Sequence, residues 1–190
     1  MKNIAIFASG SGTNFEAIVD SIQNHTIENA NVSILICDRK NAYVIERAKR
    51  LNIKYVYVNA LKFDTREKYE EHIVSILKPL NIDLIVLAGY MKIITEVLLT
   101  NYKNKIINIH PALLPSFKGA HGIEDAFNYG VKVFGVTIHY VSSELDGGKI
   151  IAQRGFEYYG KDIDELETKI HEVEHKLYPE VINKLLKGEM

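Results

Sequence analysis

A single cysteine, Cys37, excludes any internal disulfide. It lies in the apolar run Ser33-Ile34-Leu35-Ile36-Cys37, where a small buried hydrophobe is the simplest reading. One thiol, and no secretory signal at Met1-Lys2-Asn3-Ile4, point to a reducing, cytoplasmic setting. An excess of one charge is missing as well. The formal net charge of −1 gives no strong pull toward nucleic acid or a membrane surface, and neither is expected as a partner. No apolar run approaches the ~20 residues that a membrane-spanning helix needs. Repeats, low-complexity tracts and linkers are absent too. The 190 residues fit one domain, expected to cover 1–190. A chain of this size buries roughly 70% of its unfolded surface, so it can fold without metal or disulfide staples.

The chain does contain apolar runs of four to eight residues, rich in Ile and Val. They are Ile4 to Ala8, Val32 to Cys37, Tyr55 to Val58, Leu84 to Ala88 and Ile106 to Ile109. Their near-continuous hydrophobicity predicts strands covered on both faces, hence a parallel sheet. Amphipathic stretches follow the first three: Phe15 to Ile22, Tyr43 to Leu51 and Arg66 to Leu77. Strand then helix, repeated, predicts an α/β fold with one doubly wound, mostly parallel, Rossmann-related sheet and helices on both faces. After about residue 110 the pattern changes. Val133 to Val141 and Ile150 to Phe156 read as strands joined across Ser142 to Gly148, an antiparallel C-terminal portion. A closing helix, about Ile163 to Leu186, shows an apolar face of Ile163, Leu166, Ile170, Val173, Leu177, Val181 and Leu185. Pro179 is expected to kink it or divide it in two.

Three segments could carry chemistry. Gly10-Ser11-Gly12-Thr13-Asn14 sits between the first strand and the first helix. Its glycines allow a tight turn and close backbone approach, and the helix start offers free N–H groups to an anion. It lacks the spacing of a dinucleotide fingerprint or a Walker loop, so the choice lies between a phosphate on a small substrate and a plain capped turn. Asn108-Ile109-His110-Pro111 leaves a central strand, where open α/β sheets gather their ligands. Asn108 and His110 alternate and so face one side. An amide and an imidazole there can hold a developing oxyanion or move a proton, or simply satisfy a turn before Pro111. Glu144-Leu145-Asp146-Gly147-Gly148 is either an acidic turn or the source of a carboxylate for His110. The seven histidines show no metal-ligand spacing, and no G-x-S-x-G elbow is present. No metal is expected, and direct transfer through a stabilised tetrahedral intermediate is the remaining route.

These segments closely resemble the phosphoribosylglycinamide formyltransferase family over essentially the whole chain. The resemblance rests on Ala8-Ser9-Gly10-Ser11-Gly12-Thr13-Asn14, Leu87-Ala88-Gly89-Tyr90-Met91-Lys92-Ile93-Ile94, Asn108-Ile109-His110-Pro111, Leu145-Asp146-Gly147-Gly148, and Glu174-His175 before Tyr178-Pro179. It implies transfer of a formyl group from 10-formyltetrahydrofolate, a co-substrate, to the amine of phosphoribosylglycinamide in purine biosynthesis. By the same resemblance, Asn108, His110 and Asp146 are catalytic. Gly12, Thr13 and Asn14 would hold the substrate phosphate, with Glu174 near the amine. Arg66 would contact the folate, and Met91, Lys92, Ile93 and Ile94 would hold its pterin by backbone groups, alongside Asn108. His171 would approach the phosphate, and His121 has no assigned role. The Asn-x-His-Pro and Leu-Asp-Gly-Gly pieces also occur in methionyl-tRNA formyltransferase and formyltetrahydrofolate deformylase. The Gly10 to Asn14 loop separates this chain from both, and 190 residues leave no room for their extra domains. A 10-formyltetrahydrofolate hydrolase and a non-catalytic folate or nucleotide sensor are the alternatives. The expected partners are small-molecule substrates, with the protein a monomer or homodimer.

Overall fold

A computed structural model describes all residues, Met1–Met190. Seven strands form one sheet: β1 (Lys2–Ala8), β2 (Ala30–Cys37), β3 (Tyr55–Tyr57), β4 (Leu84–Leu87), β5 (Ile106–His110), β6 (Val133–Tyr140) and β7 (Ile150–Glu157). Their order is β3-β2-β1-β4-β5-β6-β7. β1 to β5 pair in parallel, while β6 runs antiparallel to both β5 and β7. All five apolar runs are strands, and Ser142 to Gly148 joins the expected antiparallel pair.

Six α-helices cover the sheet: α1 (Thr13–Gln23), α2 (Tyr43–Arg50), α3 (Arg66–Leu77), α4 (Glu96–Asn101), α5 (Gly122–Tyr129) and α6 (Ile163–Lys187). Strand alternation sorts the core into two layers. Ile4, Ile6 and Ala8 of β1 pack with Phe15, Val44 and Tyr178 on one face. Ala5 and Phe7 pack with Ile73, Leu77 and Leu98 on the other. Both faces of the parallel strands are therefore covered, which is why their sequences read as unbroken apolar runs.

Two of these helices, α4 and α5, go beyond the sequence expectation. α4 has only six residues, too few for apolar periodicity to show, and α5 has eight and follows a turn rather than one of the apolar runs on which the strand–helix alternation was read. Pro179 does not divide α6, which runs 25 residues through it. The proline lacks the N–H that would bond the His175 carbonyl. Burial of Leu177, Tyr178, Pro179, Val181 and Ile182 holds the helix across that gap. Tyr178, fully buried, donates its hydroxyl to the carbonyl of Leu87 at 2.9 Å and lies 3.3 Å from that of Ile107. This tie docks α6 across β4 and β5, one turn beyond Glu174. Asp162 caps the start of α6 by accepting from the Asp164 and Glu165 N–H groups, a bond type that contributes about 1 kcal/mol. No helix is long and apolar enough to cross a membrane.

The chain leaves β1 toward β2 and β3, then returns to place β4 and β5 on the opposite side of β1. The strand order thus reverses between β1 and β4. Segments leaving the carboxyl ends of β1, β4 and β5 converge at this switch point, where such sheets bind ligands.

Candidate active site

A cavity of about 520 Å³ opens at the switch point. Its walls include Gly10–Asn14 from the β1–α1 turn, Leu87–Ile94 after β4, Asn108–Pro111 from the end of β5, Glu144–Asp146 from the β6–β7 loop, and His171 and Glu174 from α6. Every sequence-predicted site residue except Arg66 lines it. Arg66 opens α3 and lines an adjoining cavity of about 370 Å³, which shares Met91, Lys92 and Ile93 with the first.

The glycine turn is built for close approach. Gly12 has φ +79°, and a Cβ there would lie 2.6 Å from Val44 Cβ. No side chain caps α1, so its first-turn N–H groups are not satisfied by a cap. From behind, the Val44 N–H donates to the Gly10 carbonyl at 3.1 Å, and Arg47 Nε donates to that of Ser11 at 2.8 Å. Arg47 also ion-pairs with Glu16. Beside the turn, Glu174 is only 4% exposed, and its Oε2 accepts from both Asn14 Nδ2 and His171 Nδ1 at 2.9 Å. The Glu174 hydrogen bond pushes the His171 imidazole above its ordinary value, against a smaller opposing effect of burial. His175, one turn on, is pushed down by burial.

The β5 end holds a tighter cluster. His110 Nε2 donates to the Phe117 carbonyl at 2.7 Å, and its Nδ1 lies 3.5 Å from Asp146 Oδ2. Both ring nitrogens thus face acceptors, an arrangement that a doubly protonated imidazolium satisfies. Phe117 has φ +55°, uncommon for an aromatic residue and of the kind found at functional sites. Asp146, at φ +48°, also accepts from the Gly119 N–H at 2.8 Å. Burial opposes ionisation of Asp146. The neighbouring His139, the Gly119 N–H and His110 outweigh it and hold the carboxyl below the usual range.

His139 was missing from the sequence expectation. It stands opposite Asn108 in the β5–β6 register and is 2% exposed. Its Nδ1 donates to the Tyr140 carbonyl at 2.9 Å, so in the neutral ring Nε2 accepts from Asn108 Nδ2 at 3.2 Å. The same Nε2 lies 3.6 Å from Asp146 Oδ1. His139 Nε2 thus stands between the amide, from which it accepts, and the carboxylate, which it can bond only through a proton on that nitrogen. One signal existed: Thr137 and His139 are polar at alternate positions of an otherwise apolar strand. Thr137, fully buried opposite His110, donates to the Ala112 carbonyl and accepts from the Leu114 N–H, pinning the loop after His110.

In the Leu87–Ile94 wall, the Met91 N–H is committed to Ser9 Oγ at 2.9 Å. The N–H groups of Lys92, Ile93 and Ile94 make no hydrogen bond within the protein. The arrangement offers donors to an anion at one end, unpaired backbone groups at the other, and an amide–imidazole–carboxylate set between them.

Comparisons with known proteins point the same way. The sequence model of a family described as formyl transferase matches residues 2–182. A phosphoribosylglycinamide formyltransferase of Bacillus subtilis (strain 168) is 44% identical over 187 residues, which is 98% of this chain and 95% of the relative. The crystal structure of phosphoribosylglycinamide formyltransferase from Bacillus halodurans matches at TM-score 0.94 and 46% identity, over 100% of this chain and 97% of that one. That of glycinamide ribonucleotide transformylase 1 from Geobacillus kaustophilus matches at TM-score 0.94 and 47% identity, over 98% and 99%. With such likeness along nearly its full length, the chain belongs to the formyl transferase family.

Proposed function

We propose that residues 1–190 act as a single formyltransferase domain in purine biosynthesis, moving a formyl group from 10-formyltetrahydrofolate to the amine of phosphoribosylglycinamide. One observation carries the reading: a single cavity joins the glycine turn and Glu174 to the Asn108–His110–Asp146 cluster and the Met91–Ile94 wall. The phosphate would sit on the turn at Gly12, Thr13 and Asn14, and Glu174 would receive the amine. The pterin would lie against Met91–Ile94, with Arg66 reaching the rest of the folate from the adjoining cavity.

In this mechanism the neutral amine attacks the formyl carbon. A C–N bond forms and the carbonyl oxygen takes the electron pair. Asn108 Nδ2 and the charged His110 stabilise that oxyanion. The 3.5 Å separation of His110 Nδ1 from Asp146 exceeds a normal hydrogen bond, so this N–H is the one a substrate oxygen can claim. Asp146 orients His110 and relays the proton released by the amine, directly or through water. The oxyanion then returns its electron pair to re-form the carbonyl, the bond to the folate nitrogen breaks, and that nitrogen receives the proton that left the amine, directly or through water.

A spectroscopic assay with purified protein tests this. Tetrahydrofolate release that requires both substrates is the expected result. Rapid release from formyl-folate alone would identify a hydrolase, and no release under either condition would favour the sensor.

A further inference from the structure

The Met91–Ile94 wall contains no helix or strand, yet both of its ends are tied down. At the first end, the Ser9 N–H donates to the Gly89 carbonyl at 3.0 Å and Ser9 Oγ holds the Met91 N–H. There too, the Tyr90 and Tyr69 hydroxyls share a 2.8 Å hydrogen bond. Burial pushes the Tyr69 hydroxyl up to about 12 and that of Tyr90 upward as well, so both stay neutral. At the second end stands Glu70, 2% exposed. Its Oε1 accepts from the Thr95 N–H at 2.7 Å, and its Oε2 accepts from Thr95 Oγ1 at 2.7 Å and the Leu98 N–H at 3.1 Å.

Glu70 forms no ion pair with any cation; a buried carboxylate of this kind is costly unless fully hydrogen-bonded. Here three donors surround it, two of them backbone N–H groups at the start of the six-residue α4. So short a helix depends on such ties. Adjacent residues of α3, Tyr69 and Glu70, thus hold opposite ends of one cavity wall, and Arg66 lies one turn earlier on the same helix.

We propose that Glu70 is a positioning residue for the formyl donor. It acts through the Met91–Ile94 segment, fixing the wall shared by the two cavities and so setting donor affinity. The inference rests on the proposed reading that this wall binds the folate. The experiment compares Glu70→Gln with wild type, measuring kcat, KM for each substrate, and direct 10-formyltetrahydrofolate binding by fluorescence. The amide turns an N–H against donors, so donor KM and Kd should rise by about tenfold, with kcat and the KM for phosphoribosylglycinamide within about twofold. Glu70→Asp, which keeps the charge, should recover part of the loss. Thr95→Val, which removes one donor, should raise the same KM by a smaller factor. If Glu70→Gln fails to fold, these two variants carry the test. Ile73→Val, a core truncation in α3, should lower Tm and leave both KM values unchanged. Equal changes in both KM values, or a lower Tm with donor binding intact, would overturn the positioning role alone. Wild-type protein that neither binds nor turns over formyl-folate would overturn the underlying reading as well.

Discussion

The two loops that meet across the candidate active site are held in opposite ways. The Gly10–Asn14 turn is clamped by the scaffold. α2 bonds two of its carbonyls through Val44 and Arg47, and Val44 fills the space where a Gly12 side chain would go. The Ser142–Gly148 loop hangs between two strands. Besides local bonds such as Gly147 N–H to the Glu144 carbonyl, its ties are the exposed Lys118–Glu144 pair and the Asp146 carboxylate itself. Leu145 at its tip is 53% exposed. Under the proposed function, the difference separates two tasks. A phosphate-type site needs backbone in a set shape, which packing supplies. A proton-handling carboxylate needs imidazole and N–H partners, and those same partners hold its loop.

Four substitutions or titrations would break or sharpen this contrast. The largest effect is expected for Asp146→Asn. It should lower kcat by ~10²–10⁴-fold in the transfer assay, the range for losing an acid–base group. Amide hydrogen exchange at Gly119 should also quicken, because its acceptor loses its charge. Unchanged exchange there would show that the loop is held by packing after all. Next comes Gly12→Ala, which forces a side chain into a left-handed conformation against Val44. A loss of ~1–3 kcal/mol in urea denaturation, with weaker binding of phosphoribosylglycinamide and unchanged formyl-donor binding, is the expected outcome. A third, smaller change is Arg47→Lys, which cannot keep both the Ser11 carbonyl and Glu16. The KM for phosphoribosylglycinamide should rise by about threefold to tenfold with kcat unaltered, as a buttressing bond is lost.

The smallest effects are pH-dependent and of opposite sign on the two sides. Asp146 has a lowered folded value, so its stabilisation is complete above its unfolded value of about 3.9 and is lost as pH falls further. His171 has a raised folded value, so its contribution is complete below about 6.5 and fades as pH rises through the higher folded value. Thermal melts from pH 3 to 9 should show Asp146→Asn flattening only the acid limb and His171→Gln only the limb above neutrality. Exposure of the His171 side chain keeps the second effect modest.

Much of this was legible along the chain. Ile4 to Ala8 and Leu84 to Ala88 could hardly be anything but strands covered on both faces. The repeated strand–helix spacing then put Gly10–Asn14 and Asn108–His110 at strand ends. Less legible were groups whose meaning depends on a partner far away in sequence. His139 became part of the cluster only because β6 turns back along β5 in a register that sets it opposite Asn108. Glu70 reads as a charge on a helix surface until α4 folds onto it. Arg66, placed with the folate by resemblance, stands in the adjoining cavity and shares only a wall with the main one.

Taken alone, then, the sequence determined the local and periodic features: strands from apolar runs, helices from their stripes, the tight turn from its glycines. These follow from short-range sterics and from burial that any packing of those segments must satisfy. Tertiary structure alone decided which polar groups became neighbours. The contact between Asp146 and His110, at 3.5 Å, depends on a left-handed backbone at Asp146, the Gly119 N–H and the neighbouring His139 acting together. Hydrogen bonds and charge pairs act over a few ångströms, so chain closure across dozens of residues had to come first.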